Sequence, residues 1–235
     1  MKLIYRVLLL LLFSHSAMAQ ISVNRSVIEF TAADPIQDIE IKNTGDFKIY
    51  LDLKIAEIIN PEKATPTRKE LDDPRTASML VSPQQLMVPP GARKRVRVIL
   101  RDKTHTSDRV FRLSVKPYTG KLKLAKTTGE AKQSAIKVLI GYDLLLLARP
   151  ENLDTDLQVT RTQDKIEFVN NGNTNVLLRD IKQCNADKSG CVDMQPNRLY
   201  VGEIYSIDLP KKGTKDRYPV EVLQSVGLAN SRDLY

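Results

Sequence analysis

The chain has no tryptophan, two cysteines and two histidines among its 235 residues. His15 falls in an N-terminal leader, so three Cys/His side chains remain and no four-ligand zinc site of that kind can form within one chain. The remaining histidine, His105, lies in the polar stretch Asp102-Lys103-Thr104-His105-Thr106-Ser107. Acyl transfer and acid–base chemistry need a nucleophile beside a positioned base, and a lone histidine in such a stretch gives no sign of one. We expect neither an enzyme nor a cofactor. Long apolar runs are also missing: Val7 to Phe13 has seven residues, too few to span a bilayer. Helical periodicity sustained over three turns is hard to find.

What is present begins with export. Lys2 and Arg6, the apolar run Val7 to Phe13 and the small-x-small Ala17-Met18-Ala19 have the layout of a secretory signal, expected at residues 1–19. Cleavage after Ala19 leaves Gln20 to Tyr235, 216 residues with 34 basic and 28 acidic side chains, a formal charge of +6 against +8 for the whole chain. A basic balance speaks about partners, not fold, and export argues against nucleic acid. In an oxidising compartment Cys184 and Cys191, which enclose six mostly polar residues, most simply form a disulfide that clamps a hairpin. Redox chemistry would favour a Cys-x-x-Cys pair, and this spacing is different.

Period-two apolar patterns dominate the rest. Strands are expected at Val27–Phe30, Asp38–Lys42, Tyr50–Ile55, Val96–Leu100, Val110–Val115, Ala135–Leu147, Lys165–Val169, Asn175–Leu178 and Tyr218–Leu223. Asn43-Thr44-Gly45, Pro89-Pro90-Gly91 and Asn170-Asn171-Gly172 supply turn chemistry between them. Many short strands without intervening helices indicate an all-β chain of antiparallel sandwiches. A long apolar strand ends at Arg149-Pro150, and we place a domain boundary there, with residues 20–149 and 150–235 each near the size of an immunoglobulin-like sandwich. Asn60–Pro74 and Thr119–Gln133 are too polar to pack throughout and are expected as loops.

Three segments offer function. In Ser134–Ala148 the even positions Ile136, Val138, Ile140, Tyr142, Leu144 and Leu146 make one apolar face. Such a strand is either central and buried or an edge strand whose side chains fill another protein's groove. Leu80–Val98 is expected as two strands joined at Pro89-Pro90-Gly91, with Arg93, Arg95 and Arg97 on one face, which the pattern favours as solvated over anion-binding. Arg112 lies opposite Phe111 and Leu113; the residues alone favour simple exposure over a cleft that holds a carboxylate.

Taken in order, Ser82-Pro83-Gln84-Gln85-Leu86-Met87-Val88-Pro89-Pro90-Gly91 with Val96-Arg97-Val98, then Phe111-Arg112-Leu113, then Ile136–Leu147 ending at Arg149-Pro150, resemble the periplasmic chaperones of the fimbrial chaperone-usher pathway. Phe168-Val169-Asn170-Asn171-Gly172-Asn173, Asp180-Ile181 and the Cys184/Cys191 pair are similar to the alternate branch that serves CFA-type pili. The resemblance implies two immunoglobulin-like β-sandwiches set in an L or boomerang, and a mechanism called donor-strand complementation. A pilus subunit lacks its last strand, and the chaperone lends one of its own to fill the open groove until an outer-membrane usher takes the subunit.

Carried over by position, the lending residues are Ile136, Val138 and Ile140, with Tyr142 next in the row. The conventional branch holds the subunit's terminal carboxylate with an arginine and a lysine where this chain has Val27 and Leu145, with Arg25 two residues away. Alternate and archaic members carry an arginine in the position of Arg112, which makes Arg112 the expected anchor. Pilus subunits and an usher are the implied partners, and the residues do not decide whether the free protein self-associates to cover its lending strand. The competing reading is a pilus subunit or another adhesive β-protein, for which Gln20 to Phe30 leaves little room for a polymerising extension.

Overall fold

A computed structural model describes residues 20–118, 139–227 and 229–235. The leader, the loop expected at Thr119–Gln133, and Ile136 and Val138 lie outside the described residues. Among those described, all regular structure is β.

The first ten strands are β1 (Ile21–Val23), β2 (Val27–Phe30), β3 (Ile36–Asn43), β4 (Ile49–Ile59), β5 (Thr67–Glu70), β6 (Met79–Ser82), β7 (Gln85–Val88), β8 (Arg93–Leu100), β9 (Arg109–Tyr118) and β10 (Tyr142–Ala148). They form two sheets, one ordered β1-β3-β8-β6 and the other β2-β10-β9-β4-β5 with β7 also on β4. The alternation of side chains explains why they stack. In β3, Ile39 and Ile41 are buried between outward Asp38, Glu40 and Lys42; in β4, Ile49, Leu51, Leu53 and Ile55 face inward. These residues meet Phe30, Phe111, Leu113, Leu144 and Leu146 in one apolar core.

The later strands are β11 (Leu157–Arg161), β12 (Lys165–Asn170), β13 (Val176–Gln183), β14 (Val192–Asp193), β15 (Asn197–Leu199), β16 (Ile204–Asp208), β17 (Val220–Val226) and β18 (Ala229–Leu234). A sheet ordered β11-β12-β16 packs on one ordered β14-β13-β17-β18, with β15 also on β13. Ile166, Phe168, Leu178, Ile181 and Val222 fill this second core. Cys184 and Cys191 are joined, with S–S 2.05 Å, and close the β13–β14 hairpin next to the pair Gln183↔Val192.

The two asparagine turns are built alike. Asn43 is fully buried; its amide donates to the carbonyls of Phe47 and Val88, and its side-chain oxygen accepts from the Gly45 amide. Asn170 does the same in the second sandwich with the carbonyls of Thr174 and Leu199 and the Gly172 amide. A Cβ on Gly172 would lie 2.3 Å from the Asp154 carbonyl oxygen, so no larger residue fits there.

One expectation is extended and one corrected. Two strands do meet at a tight reversal at Pro89-Pro90-Gly91, closed by Ala92 N–H to the Pro89 carbonyl, but β7 joins β4 in one sheet and β8 joins β3 in the other, so the turn switches the chain between sheets. Asn60–Pro74 is not loop throughout, because Thr67–Glu70 forms β5 against β4. All four β5 side chains are exposed, so this strand is held by backbone pairing and leaves no apolar signature.

Candidate functional site

The long apolar strand sits where one sheet changes width. β10 runs antiparallel to β9 from Tyr142↔Val115 to Ala148↔Arg109, but its parallel pairing with β2 covers only Leu145↔Val27 to Ala148↔Phe30. Among the described strands, Tyr142, Asp143 and Leu144 therefore have a neighbour on one side alone. The chain causes this by crossing between sheets: β1 pairs with β3 in the opposite sheet, and β2 starts only at Val27.

The two faces of β10 have different fates. Leu144, Leu146 and Ala148 enter the core of the first sandwich, and Tyr142 packs on the same core with its hydroxyl donating to the Ile21 carbonyl at 2.9 Å. β10 begins at Tyr142, so the strand expected from Ala135 is corrected at Leu139, Ile140 and Gly141, which lie outside it; Ile140 is 51% exposed. Between Ile140 and Tyr142, Gly141 runs close to β9, where an added Cβ would stand 2.8 Å from the Val115 carbonyl oxygen. The chain thus passes from an exposed Ile140 just before the strand to side chains within it that enter the protein's own core. The odd-numbered face carries Asp143, Leu145 and Leu147, and the last two pack with Val110, Ile58 and Tyr200 of the second sandwich.

Arg112 lies on that odd face, in register with Leu145 and Ala56. Its Nη1 donates to the Asp143 carbonyl at 3.3 Å, its Nε is 4.0 Å from the Asp143 carboxylate, and its side chain is about a third exposed. Burial pushes the Tyr200 phenol up, while the charges of Arg198 and Arg112 pull it the other way, so Arg112 lies within electrostatic reach of the second sandwich. Val27 and Leu145 are directly paired neighbours, and neither can bind an anion through its side chain. Arg25 turns away, donating to Gln37 Oε1 and the Asp38 carbonyl. The row Arg93, Arg95 and Arg97 is exposed on the other sheet and pairs with Glu40 and Asp38, as a solvated face does. Arg97 beside Asp38 holds that carboxyl below its usual range.

Sequence reasoning missed the cluster that joins the sandwiches. Arg149, 3% exposed, donates from Nη2 to Glu29 Oε1 at 2.8 Å, and from Nη1 to Asp108 Oδ2 at 2.9 Å, Thr174 Oγ1 at 2.6 Å and the Asn175 carbonyl at 3.2 Å. Asp108 also accepts from the Thr174 hydroxyl and from both the backbone and side-chain N–H groups of Asn175. Burial pushes the Asp108 carboxyl up, and Arg149 and these donors counter that push. Beside the cluster, a cleft of about 930 Å³ opens between Arg25, Val27, Glu29, Leu153, Val226 and Ala229. Arg149 before Pro150 was visible in the sequence as a boundary mark; its partners, 25 to 120 residues distant along the chain, were not.

A protein-family model, that of the pili and flagellar-assembly chaperones with a PapD N-terminal domain, matches residues 20–154. No curated protein matches the sequence. Among solved structures, the class 5 fimbriae chaperone CfaA is similar with a TM-score of 0.63 at 17% identity, over 91% of this chain and 98% of that one. The complex of Salmonella enterica SafA pilin with the SafB chaperone contains a chain with a TM-score of 0.62 at 12% identity, covering 94% and 98%. The Pseudomonas aeruginosa CupB2 chaperone gives 0.58 at 11%, covering 91% and 98%. At such identities the likeness is one of fold.

Proposed function

Because the chain belongs to the pili and flagellar-assembly chaperones, whose N-terminal domain its residues 20–154 match over more than half its length, we propose that it binds pilus subunits in the periplasm by lending them a strand and passes them to an outer-membrane usher. In this reading residues 20–149 are the subunit-binding sandwich and residues 150–235 the second one. The lent side chains are Ile136, Val138 and Ile140, and Arg112 holds the subunit's terminal carboxylate.

The observation that carries the reading is the double character of β10. Its first residues have an open edge on which another strand can add by backbone hydrogen bonds, and its even-numbered row already serves as core at Tyr142, Leu144 and Leu146. Continued upstream, the same row gives an incoming subunit the apolar residues that its own sandwich lacks. Each aliphatic side chain fully buried there contributes about 1.5–3 kcal/mol of transfer free energy, less the cost of association and ordering. A one-residue slip would present Lys137 and Leu139 instead, so register is specified by burial.

The test is co-expression with a cognate pilus subunit and recovery of a one-to-one complex. Val138→Asp is expected to abolish the complex while leaving the melting temperature of the free protein within a few degrees. Normal recovery of the complex from that variant overturns the strand assignment.

A further inference from the structure

Two arginines from different strands converge on one aspartate. Arg68 of β5 donates from Nη1 to both carboxylate oxygens of Asp143 and from Nη2 to Oδ1, each at 3.2 Å. Arg112 of β9 approaches the same residue through the carbonyl at 3.3 Å and the carboxylate at 4.0 Å. Two of the residues in register between them are small, Ala56 opposite Arg112 and Ser114 opposite Asp143, while Lys54, opposite Ser114, pairs with Asp72. Ala56 is fully buried and Ser114 nearly so, as they would be beneath long side chains lying flat across the sheet. The three charged side chains remain between about a third and a half exposed. Five N–H donors on each guanidinium exceed what one carboxylate and Glu70, which accepts from Arg68 Nε, can satisfy.

We infer that Arg68 and Arg112 form a single carboxylate-binding clamp and that Asp143 occupies it in the free protein in place of the terminal carboxylate of a bound subunit. The inference rests on the reading of Arg112 as the anchor and adds Arg68 as a second binding residue. Paired guanidinium forks match carboxylate geometry, which a single ammonium does not. The location is also apt, since Asp143 stands in the part of β10 that has an open edge, beside the residues proposed to be lent. An incoming carboxylate shares or takes the donors that Asp143 holds, so the aspartate tempers capture of a charged chain end, while an end that brings no charge gains nothing at the clamp.

The test uses two synthetic peptides with the last fifteen or so residues of a cognate subunit, one ending in a free acid and one in an amide, titrated into the full-length mature protein by calorimetry. The wild type is expected to prefer the acid. Arg68→Ala is expected to weaken the acid peptide about tenfold, the loss of a charge-assisted pair, and to leave the amide peptide unchanged; Arg68→Lys restores part of the preference. Asp143→Asn is expected to tighten the acid peptide several-fold and the amide peptide not at all. If the wild type prefers the acid and Arg68→Ala keeps the full preference, Arg68 is no part of the anchor and this inference falls while the Arg112 reading stands. If the wild type binds both peptides alike, or binds neither, the carboxylate anchor itself falls. Strand lending is judged separately by Val138→Asp.

Discussion

Arg149, just past the end of β10, and Arg112, in the neighbouring β9, do opposite things with the same chemistry. Arg149 is buried and complete: two carboxylates, a hydroxyl and a carbonyl accept from it. Arg112 is partly exposed and incomplete, with one long hydrogen bond to a backbone oxygen. The difference follows from where each sits along β10. Arg149 follows the half flanked by both β2 and β9, where Glu29, Asp108 and the Thr174-Asn175 segment close around it; Arg112 is in register with Leu145, where the pairing with β2 begins, and reaches back to Asp143 in the half that β2 does not cover. A saturated buried cation fixes one sandwich against the other. An unsaturated one beside the open edge of β10 is available to a ligand.

The largest effect should come from breaking the saturated member. Arg149→Ala leaves Asp108 and Glu29 as uncompensated charges, and removing one partner of a buried pair costs about 3–5 kcal/mol. Urea unfolding followed by fluorescence of the tyrosines is the measurement; a cost below that of Arg112→Ala would break the comparison. Asp108→Asn keeps the shape but exchanges a carboxylate that accepts from Arg149, Thr174 and Asn175 for an amide with a single acceptor oxygen. Its expected cost is about 1–3 kcal/mol for donors left unsatisfied. Combined with Arg149→Ala it should be far from additive, because the two groups are in contact.

Arg112→Ala should behave in the reverse way. With no buried partner to strand, its effect on unfolding is expected within about 0.5 kcal/mol, whereas recovery of the subunit complex should fall sharply. Undiminished recovery would remove Arg112 from the site.

These contrasts also mark what the sequence could convey. Many core strands were legible because period-two alternation is local, as in Ile39/Ile41 and Leu51/Leu53/Ile55, and the asparagine turns were legible because Asn-x-Gly chemistry is contained in three residues; β1, β11, β15, β16 and β18 drew no such expectation. β5 was not legible either, since Thr67-Arg68-Lys69-Glu70 buries nothing. The pairing of Arg68 with Asp143 spans 75 residues and that of Arg149 with Glu29 spans 120, and no local pattern encodes them. Arg112 itself was singled out through family resemblance, its residues alone pointing to plain exposure. The strand that turns out to be half edge and half core read as one apolar run, because alternation reports which side chains share a face and not where a neighbouring strand stops.

The smallest expected effect sharpens the comparison from outside the site. Glu221, in β17, repeats the two-cation arrangement of Asp143: Lys182 lies 3.2 Å and Arg232 3.3 Å from its carboxylate. The hydrogen bond from Lys182 and the neighbouring charges hold its carboxyl below the usual value of 4.5. A carboxyl lowered by folding adds stability that is present above its unfolded value and is lost as pH falls through the lower folded one. Glu221→Gln is therefore expected to cost about 0.5 kcal/mol or less at neutral pH, as partly exposed pairs do, and nothing once the wild-type carboxyl is protonated. It should leave subunit capture untouched, whereas Asp143→Asn should alter capture. If both substitutions change capture equally, general surface charge and not a clamp at the open edge of β10 governs how the protein holds its subunit.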